Sequence, residues 1–141
     1  MSQEKRAAIY ARTATLKLIG DPRGIQSQAE ACIRYCEQHG YIVNPALIKQ
    51  EITGGIGYKD REGLTALLEA AKHGEFDILV VTGFDRLSRR HEYLAEIIHK
   101  LEACDVSLAC VDQILDGIAV KLFLTGRADE IIRMQHKSRL N

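Results

Sequence analysis

The residues best suited to chemistry follow a short apolar run at positions 76–82. The run is rich in branched side chains, which is typical of a buried strand. One carboxylate and three guanidinium groups come directly after it: Asp85, Arg86, Arg89 and Arg90. Groups at the carboxyl end of a parallel strand lie where open α/β sheets form binding sites, and the planar fork of arginine matches phosphate oxygens. The segment indicates an anion site, and a solvated helix start capped by Asp85 is the alternative.

A second predicted strand also ends in an arginine. Residues 7–15 read Ala-Ala-Ile-Tyr-Ala-Arg-Thr-Ala-Thr, a short apolar segment that leads into Arg12 and a turn with hydroxyl groups. The carboxyl ends of parallel strands meet at one edge of a sheet. We therefore expect Arg12 to share a pocket with the arginines that follow residue 85.

Four segments, whose order along the chain matches that of the family's motifs, resemble the catalytic domain of serine site-specific recombinases, the resolvase and invertase family. Residues 10–15 (Tyr-Ala-Arg-Thr-Ala-Thr) resemble the family's Tyr-x-Arg-Val-Ser-Thr or -Ser, and residues 85–89 (Asp-Arg-Leu-Ser-Arg) its Asp-Arg-Leu-x-Arg. Residues 24–28 (Gly-Ile-Gln-Ser-Gln) resemble Ser-Ile-x-x-Gln, and residues 59–64 (Lys-Asp-Arg-Glu-Gly-Leu) resemble Asp-Arg-x-Gly-Leu. The resemblance covers roughly residues 6–113.

The resemblance implies a site for the scissile phosphate of DNA. The family's active-site arginines match four positions, which we expect to form a clamp: Arg12, Arg61, Arg86 and Arg89. Asp85 is expected to orient Arg12 or Arg86 or to handle a proton. Gln28 is expected to hydrogen-bond near the nucleophile, unless it is an exposed residue of the first helical turn. The reaction implied is cleavage of DNA through a 5′ phosphoserine link, without metal or cofactor, followed by strand exchange in a tetramer of this dimeric family.

One position departs from the family pattern, because the nucleophilic serine falls on Ala14. A methyl group cannot attack phosphorus, so the chain as written is expected not to cleave DNA. Three explanations stay open: a deliberate substitution, natural decay, or a nucleophile shifted to Thr13 or Thr15. A shift of one residue in an extended segment turns the side chain to the opposite side, which disfavours the threonines.

Strand and helix patterns alternate along the chain. Strands are predicted at 6–11, 41–52, 76–82 and 106–111, with Pro45 marking a break or an edge strand, and helices at 25–39, 61–73 and 90–104. This alternation favours an α/β fold of three layers, a mostly parallel sheet with helices on both faces.

The chain divides into a catalytic domain at 1–117 and a helical segment at 118–141. By resemblance the segment is the truncated start of a long dimerisation helix, and the family's separate DNA-binding domain is expected to be absent. Three basic side chains of this segment are candidates for contacts with the DNA backbone, with a solvated helix end as the alternative: Arg133, Lys137 and Arg139.

Composition and charge limit the classes of function and cellular location that remain. The chain has 141 residues, 46% of them hydrophobic, and 19 basic residues balance 19 acidic ones. A net charge of zero argues against strong nonspecific DNA binding by this chain alone. No segment has the length of a membrane span and no signal peptide precedes the first strand, so we expect a cytoplasmic protein. The four cysteines lack metal-site spacing and are expected to be buried reduced thiols.

Two other functions compete with an active recombinase. A noncatalytic module that binds DNA or pairs with an active partner is favoured by Ala14 and disfavoured by the four retained arginines. A flavodoxin-like domain for a small ligand is suggested only by the loop Gly54-Gly55-x-Gly57, which lacks the lysine of a P-loop. Stabilisation by nucleotides would favour the second.

Overall fold

The computed structural model describes residues 4–15, 17–18, 20–53 and 57–112. Strands and helices alternate along these ranges as predicted. The strands are β1 (Arg6–Thr13), β2 (Ile42–Ile52), β3 (Ile78–Val81) and β4 (Ser107–Cys110), and the helices are α1 (Ile25–His39), α2 (Glu62–Lys72) and α3 (His91–Ala103). The predicted segment at 118–141, with Arg133, Lys137 and Arg139, lies outside the described residues.

The four described strands form one sheet in the order β2-β1-β3-β4, and every pair is parallel. β1 is central, with Ile9 paired to Ile48 on one side and to Val80 on the other. β2 lies at the edge of this sheet, where its pairing with β1 jumps from Ala7–Val43 to Ile9–Ile48. Pro45 lies in the part of β2 between these two paired positions. Proline has no amide hydrogen and is tolerated at an irregular edge of this kind.

Alternate residues of the central strands face two apolar cores. Ala7 and Ile9 of β1 pack with Cys32 and Cys36 of α1. Ala8 and Tyr10 face the opposite side and pack with α2 and α3 through side chains such as Leu67. The strands are buried on both faces, which is the reason for their continuous apolar sequence. The predicted arrangement of three layers is confirmed.

The local sequence explains where α1 ends and where α2 begins. α1 ends at Gly40, whose φ of 70° is a left-handed conformation that glycine adopts without strain. The amide of Tyr41 donates to the carbonyl oxygen of Cys36 at 2.9 Å and closes the last turn. α2 begins at Glu62 rather than at the predicted Arg61, since Arg61 is extended (φ −92°, ψ 111°).

The four cysteines are free thiols, with Cys32 and Cys36 buried and Cys104 and Cys110 half-buried. The expected burial is therefore confirmed for Cys32 and Cys36, and only partly for Cys104 and Cys110. Within the described ranges, no helix combines the length and apolar character that crossing a membrane requires.

Candidate functional site

A cleft of about 650 Å³ opens beyond the carboxyl ends of β1 and β3. Its lining contains one carboxylate, Asp85, and seven cationic side chains among the described residues. These cations are Arg12, Lys17, Arg23, Arg61, Arg86, Arg89 and Arg90. Low-dielectric walls lined by one sign of charge concentrate the field of those charges. The charge of the lining is therefore suited to an anionic ligand.

The cleft brings together most of the predicted site residues. The four motif arginines, Asp85 and Ala14 all line it, although they come from three separate parts of the chain. Sequence reasoning missed Lys17 and Arg23, which lie in the loop between β1 and α1 and belong to no matched motif. It singled out Arg90 as part of the basic run but gave it no place in the clamp.

Arg12 reaches across the top of the sheet and is only 8% exposed. Its guanidinium group donates to three backbone carbonyl oxygens: Arg86 at 2.9 Å, Asp85 at 2.9 Å and Thr53 at 3.0 Å. An arginine has five N–H groups, so this arrangement uses three of them. Arg12 therefore ties β1 to the segments that follow β2 and β3, and it retains two donors for a ligand.

Gln28 lies beneath Arg12 and is 1% exposed, so the alternative of an exposed polar residue is wrong. Its side-chain oxygen accepts from the Arg12 amide at 3.0 Å. Its side-chain nitrogen donates to the carbonyl oxygens of Arg12 at 2.9 Å and Arg23 at 2.7 Å. Gln28 fixes the backbone two residues before Ala14 and does not line the cleft itself.

Arg61 and Arg86 also have hydrogen bonds to the backbone. Arg61 Nη1 donates to the Leu87 carbonyl oxygen, and Arg86 Nη1 donates to the Arg12 carbonyl oxygen at 3.2 Å. The Nε atoms of both are buried and have no hydrogen-bond partner among the described residues. A buried donor without a partner carries a desolvation penalty.

Arg89 differs from the other three motif arginines. It is exposed at the mouth of the cleft, and its guanidinium group has no hydrogen bond or ion pair with the described residues. None of its donors is used by a described residue. Among the motif arginines, Arg89 is the one whose guanidinium group no described residue binds.

The guanidinium groups repel one another. Burial lowers the pKa of Arg12 below its ordinary value, and the nearby charges of Arg61, Arg86 and Arg89 lower that pKa further. A polyanion that enters the cleft would relieve this repulsion. The charge arrangement favours a phosphate ligand over a neutral one.

Asp85 contacts Arg12 as predicted, but through its backbone, and the proton-handling role of its carboxylate stays a prediction. Its backbone oxygen orients Arg12, whereas its carboxylate has no ion pair with a described residue. A Cβ atom at Gly83 would lie 2.7 Å from Asp85 Oδ1, so the carboxylate lies close over the Gly83 backbone. The exposed carboxylate keeps its acceptors for a proton or a ligand.

Ala14 lies in the bend directly after β1 and lines the cleft. Thr13 also lines it, but its hydroxyl group donates to the Thr15 carbonyl oxygen at 3.0 Å. Ser88, which sequence reasoning did not offer as a nucleophile, accepts from the Arg90 amide at 3.1 Å. The described residues contain no group of three or more histidine, cysteine, aspartate or glutamate side chains arranged for a metal ion.

Comparisons with known proteins agree with this geometry. The resolvase of transposon Tn2501 from Escherichia coli is 28% identical over 107 residues, which are 75% of this chain and 50% of that protein. The chain thus spans about half the length of this curated relative.

Solved structures share the fold. The N-terminal catalytic domain of TP901-1 integrase superposes with a TM-score of 0.76 at 19% identity, covering 96% of this chain and 97% of that one. A resolvase family site-specific recombinase from Streptococcus pneumoniae gives a TM-score of 0.68 at 16% identity, covering 97% and 96%. The family model described as Resolvase, N terminal domain matches residues 7–128. The chain therefore belongs to the resolvase family of serine recombinases, and the match lies in that family's N-terminal, catalytic domain.

Proposed function

We propose that this chain is a recombinase catalytic domain whose cleft binds the scissile phosphate of DNA. The observation that carries the proposal is the convergence of Arg12, Arg61, Arg86 and Arg89 on one cleft that also contains position 14. As written, the chain binds without cleaving, because Ala14 has no nucleophilic oxygen.

With serine at position 14, the proposed reaction is a phosphoryl transfer. The serine oxygen attacks phosphorus and loses its proton, a P–O bond forms to the 5′ phosphate, and the bond to the 3′ oxygen breaks. The 3′ oxygen leaves as a hydroxyl group after gaining a proton. The phosphodiester energy is kept in the phosphoserine bond, so the reverse attack by a 3′ hydroxyl group can rejoin exchanged strands.

The arginines have distinct parts in this proposal. Arg12 and Arg61 are held by backbone carbonyl groups, so their remaining donors are preorganised toward the phosphate. Arg89 closes on the phosphate from the mouth of the cleft. Removing one preorganised donor of this type costs about 100-fold in rate.

A noncatalytic module is the second candidate, and Ala14 is the observation that favours it. Retention of Arg12 and Arg61 does not argue against decay, because both hold the fold together through backbone carbonyl groups. Arg89 does argue against it, since no described residue depends on its guanidinium group. We therefore place the cleaving reaction first.

The wider assembly follows from the family. We propose that the chain acts on DNA in the cytoplasm, as a dimer that forms a tetramer during strand exchange. Within this proposal the segment at 118–141 contributes to the dimer, and its basic side chains, Arg133, Lys137 and Arg139, contact the DNA backbone.

The test joins a sequence-specific DNA-binding domain to the carboxyl end of the chain and compares Ala14 with Ala14→Ser. The DNA carries two sites for the joined domain around a randomised centre. We expect Ala14→Ser to yield covalent adducts on denaturing gels, and Ala14 to yield none. Because the link is to the 5′ phosphate, a 3′ end label should travel with the protein and a 5′ end label should not.

Controls separate the candidate nucleophiles. Adducts in the Ala14 chain that disappear with Thr13→Val would move the nucleophile to Thr13. Absence of adducts from Ala14→Ser across the randomised centres, with DNA still bound, would refute cleavage and support the noncatalytic module.

A further inference from the structure

Helix α2 begins at an arginine that does not cap it. Arg61 occupies the N-cap position and makes no side-chain capping bond. Serine, threonine, aspartate and asparagine are the usual N-caps, because a short side-chain oxygen accepts from the first free amides of the helix. The position is instead taken by a side chain directed to the cleft, and the helix needs an acceptor from elsewhere.

Glu51 supplies that acceptor from the edge strand β2. Its Oε1 accepts a hydrogen bond from the amide of Gly63, in the first turn of α2. Its Oε2 accepts from the hydroxyl group of Tyr10 on β1. One carboxylate therefore joins three elements, and its negative charge lies at a helix N-terminus, where it is favourable.

Gly63 makes this contact possible. A Cβ atom at this position would lie 2.8 Å from Glu51 Cδ and 3.0 Å from Glu51 Cγ. The glycine that follows Arg61 in the matched motif is thus explained by the close approach of Glu51. The sequence around Glu51 contains no feature that predicts this role.

Tyr10, Glu51 and Arg61 form one electrostatic group. Burial raises the pKa of Tyr10 above its ordinary value, the hydrogen bond and charge of Glu51 raise it further, and Arg61 opposes them. Glu51 is also the register partner of Arg12 on the neighbouring strand.

We propose that Glu51 is a positioning residue for Arg61: by capping α2 and binding Tyr10, it fixes the start of α2, and with it the Arg61 guanidinium group, against the end of β1. The link to catalysis rests on the proposed function, whereas the link to the position of Arg61 does not. A displacement of about 1 Å in a catalytic group can cost on the order of 100-fold in rate.

The test compares Glu51→Ala with Glu51→Gln and with Glu62→Ala, all in the Ala14→Ser chain joined to its DNA-binding domain. Glu62→Ala is the matched control, because it removes one exposed carboxylate from the first turn of the same helix. Glutamine at 51 can still accept from the Gly63 amide while its nitrogen donates to the Tyr10 oxygen. Two quantities are measured: the single-turnover rate of adduct formation at saturating DNA, and the Nε–Hε resonance of Arg61.

We expect Glu51→Ala to slow adduct formation at least about tenfold and to shift the Arg61 resonance, with little change in DNA affinity. Glu51→Gln should recover most of the rate, and Glu62→Ala should resemble the parent. A parental rate and an unmoved Arg61 resonance in Glu51→Ala would overturn the proposal. A failure of Glu51→Gln to recover more than Glu51→Ala would also overturn it.

Two outcomes are interpreted separately: a parent chain that forms no adducts, and a Glu51→Ala variant that does not fold. If the parent Ala14→Ser chain forms no adducts, the proposed function fails, and the Arg61 resonance alone decides whether Glu51 positions it. If Glu51→Ala does not fold, Gly63→Ala replaces it, because its methyl group displaces the Glu51 carboxylate while keeping the charge. The same shift of the Arg61 resonance is expected there, and its absence refutes the proposal.

Discussion

Arg12→Lys should destabilise the fold much more than its conservative chemistry suggests. Arginine donates to three carbonyl oxygens on two different segments, and a lysine keeps the charge but donates from a single nitrogen. If one of the three bonds survives, two are lost. Hydrogen bonds of charged groups contribute about 1.5 kcal/mol or more each, so the unfolding free energy should fall by about 3 kcal/mol.

Urea denaturation of the chain measures this change through the midpoint at constant m-value. Arg89→Lys is the matched control, because Arg89 is exposed and has no hydrogen bond with the described residues, and its effect should stay within about 0.5 kcal/mol. The repulsion among the guanidinium groups is unchanged in both variants, since each keeps its charge. Equal midpoints for the two variants would refute the role of Arg12 as a tie between strand ends.

Three further predictions concern other parts of the cleft and core. Gly83→Ala should change the unfolding free energy by less than about 0.5 kcal/mol in urea denaturation, because the atom that its Cβ would meet at 2.7 Å, Asp85 Oδ1, ends an exposed side chain that can rotate away; a loss of about 1 kcal/mol or more would show that the carboxylate is held in place. Burial raises the pKa of Cys32 from 9.0 to about 12. The unfolded chain loses that proton first, so the unfolding free energy should decline between those pH values by up to about 1.4 kcal/mol per unit, and Cys32→Ala should flatten the decline in urea midpoints. Lys17→Ala and Arg90→Ala should each reduce the salt slope of DNA binding by about 0.9 if they contact phosphates, and unchanged slopes would remove them from the interface.

The fold followed from the sequence because its signals are local. The apolar face of α1 repeats at helical spacing, and Gly40 supplies the left-handed residue that ends it, so both ends of that helix were predicted. The start of α2 was misplaced by one residue, because Arg61 stands where a capping residue usually does. An arginine at the N-cap position does not stabilise the helix start by a capping bond, and here its side chain lines the cleft instead. An unusual N-cap residue is therefore a local sequence signal of a functional site.

The sequence predicted most of the arginines that line the cleft, but not the contacts that hold them in place. The resemblance to the family motifs identified four of the arginines that line the cleft: Arg12 at the end of β1, Arg61 at the start of α2, and Arg86 and Arg89 after β3. The carbonyl groups that hold Arg12 are backbone atoms of other segments, and no residue type at those positions reveals them. Glu51 lies on an edge strand outside every motif, and its partner atoms come from residues 41 positions before and 12 positions after it.

The most direct test of the arginine cleft is the single-turnover rate of adduct formation by Arg89→Ala in the Ala14→Ser chain, joined to its DNA-binding domain, at saturating DNA. The Arg89 side chain has no hydrogen bond or ion pair with a described residue, and an unchanged urea midpoint would show that a loss of rate does not come from a loss of fold. The account predicts a rate at least about tenfold below that of the Ala14→Ser parent, the loss expected for one charge-assisted hydrogen bond to the phosphate, with an unchanged urea midpoint. A rate equal to that of the parent would contradict it.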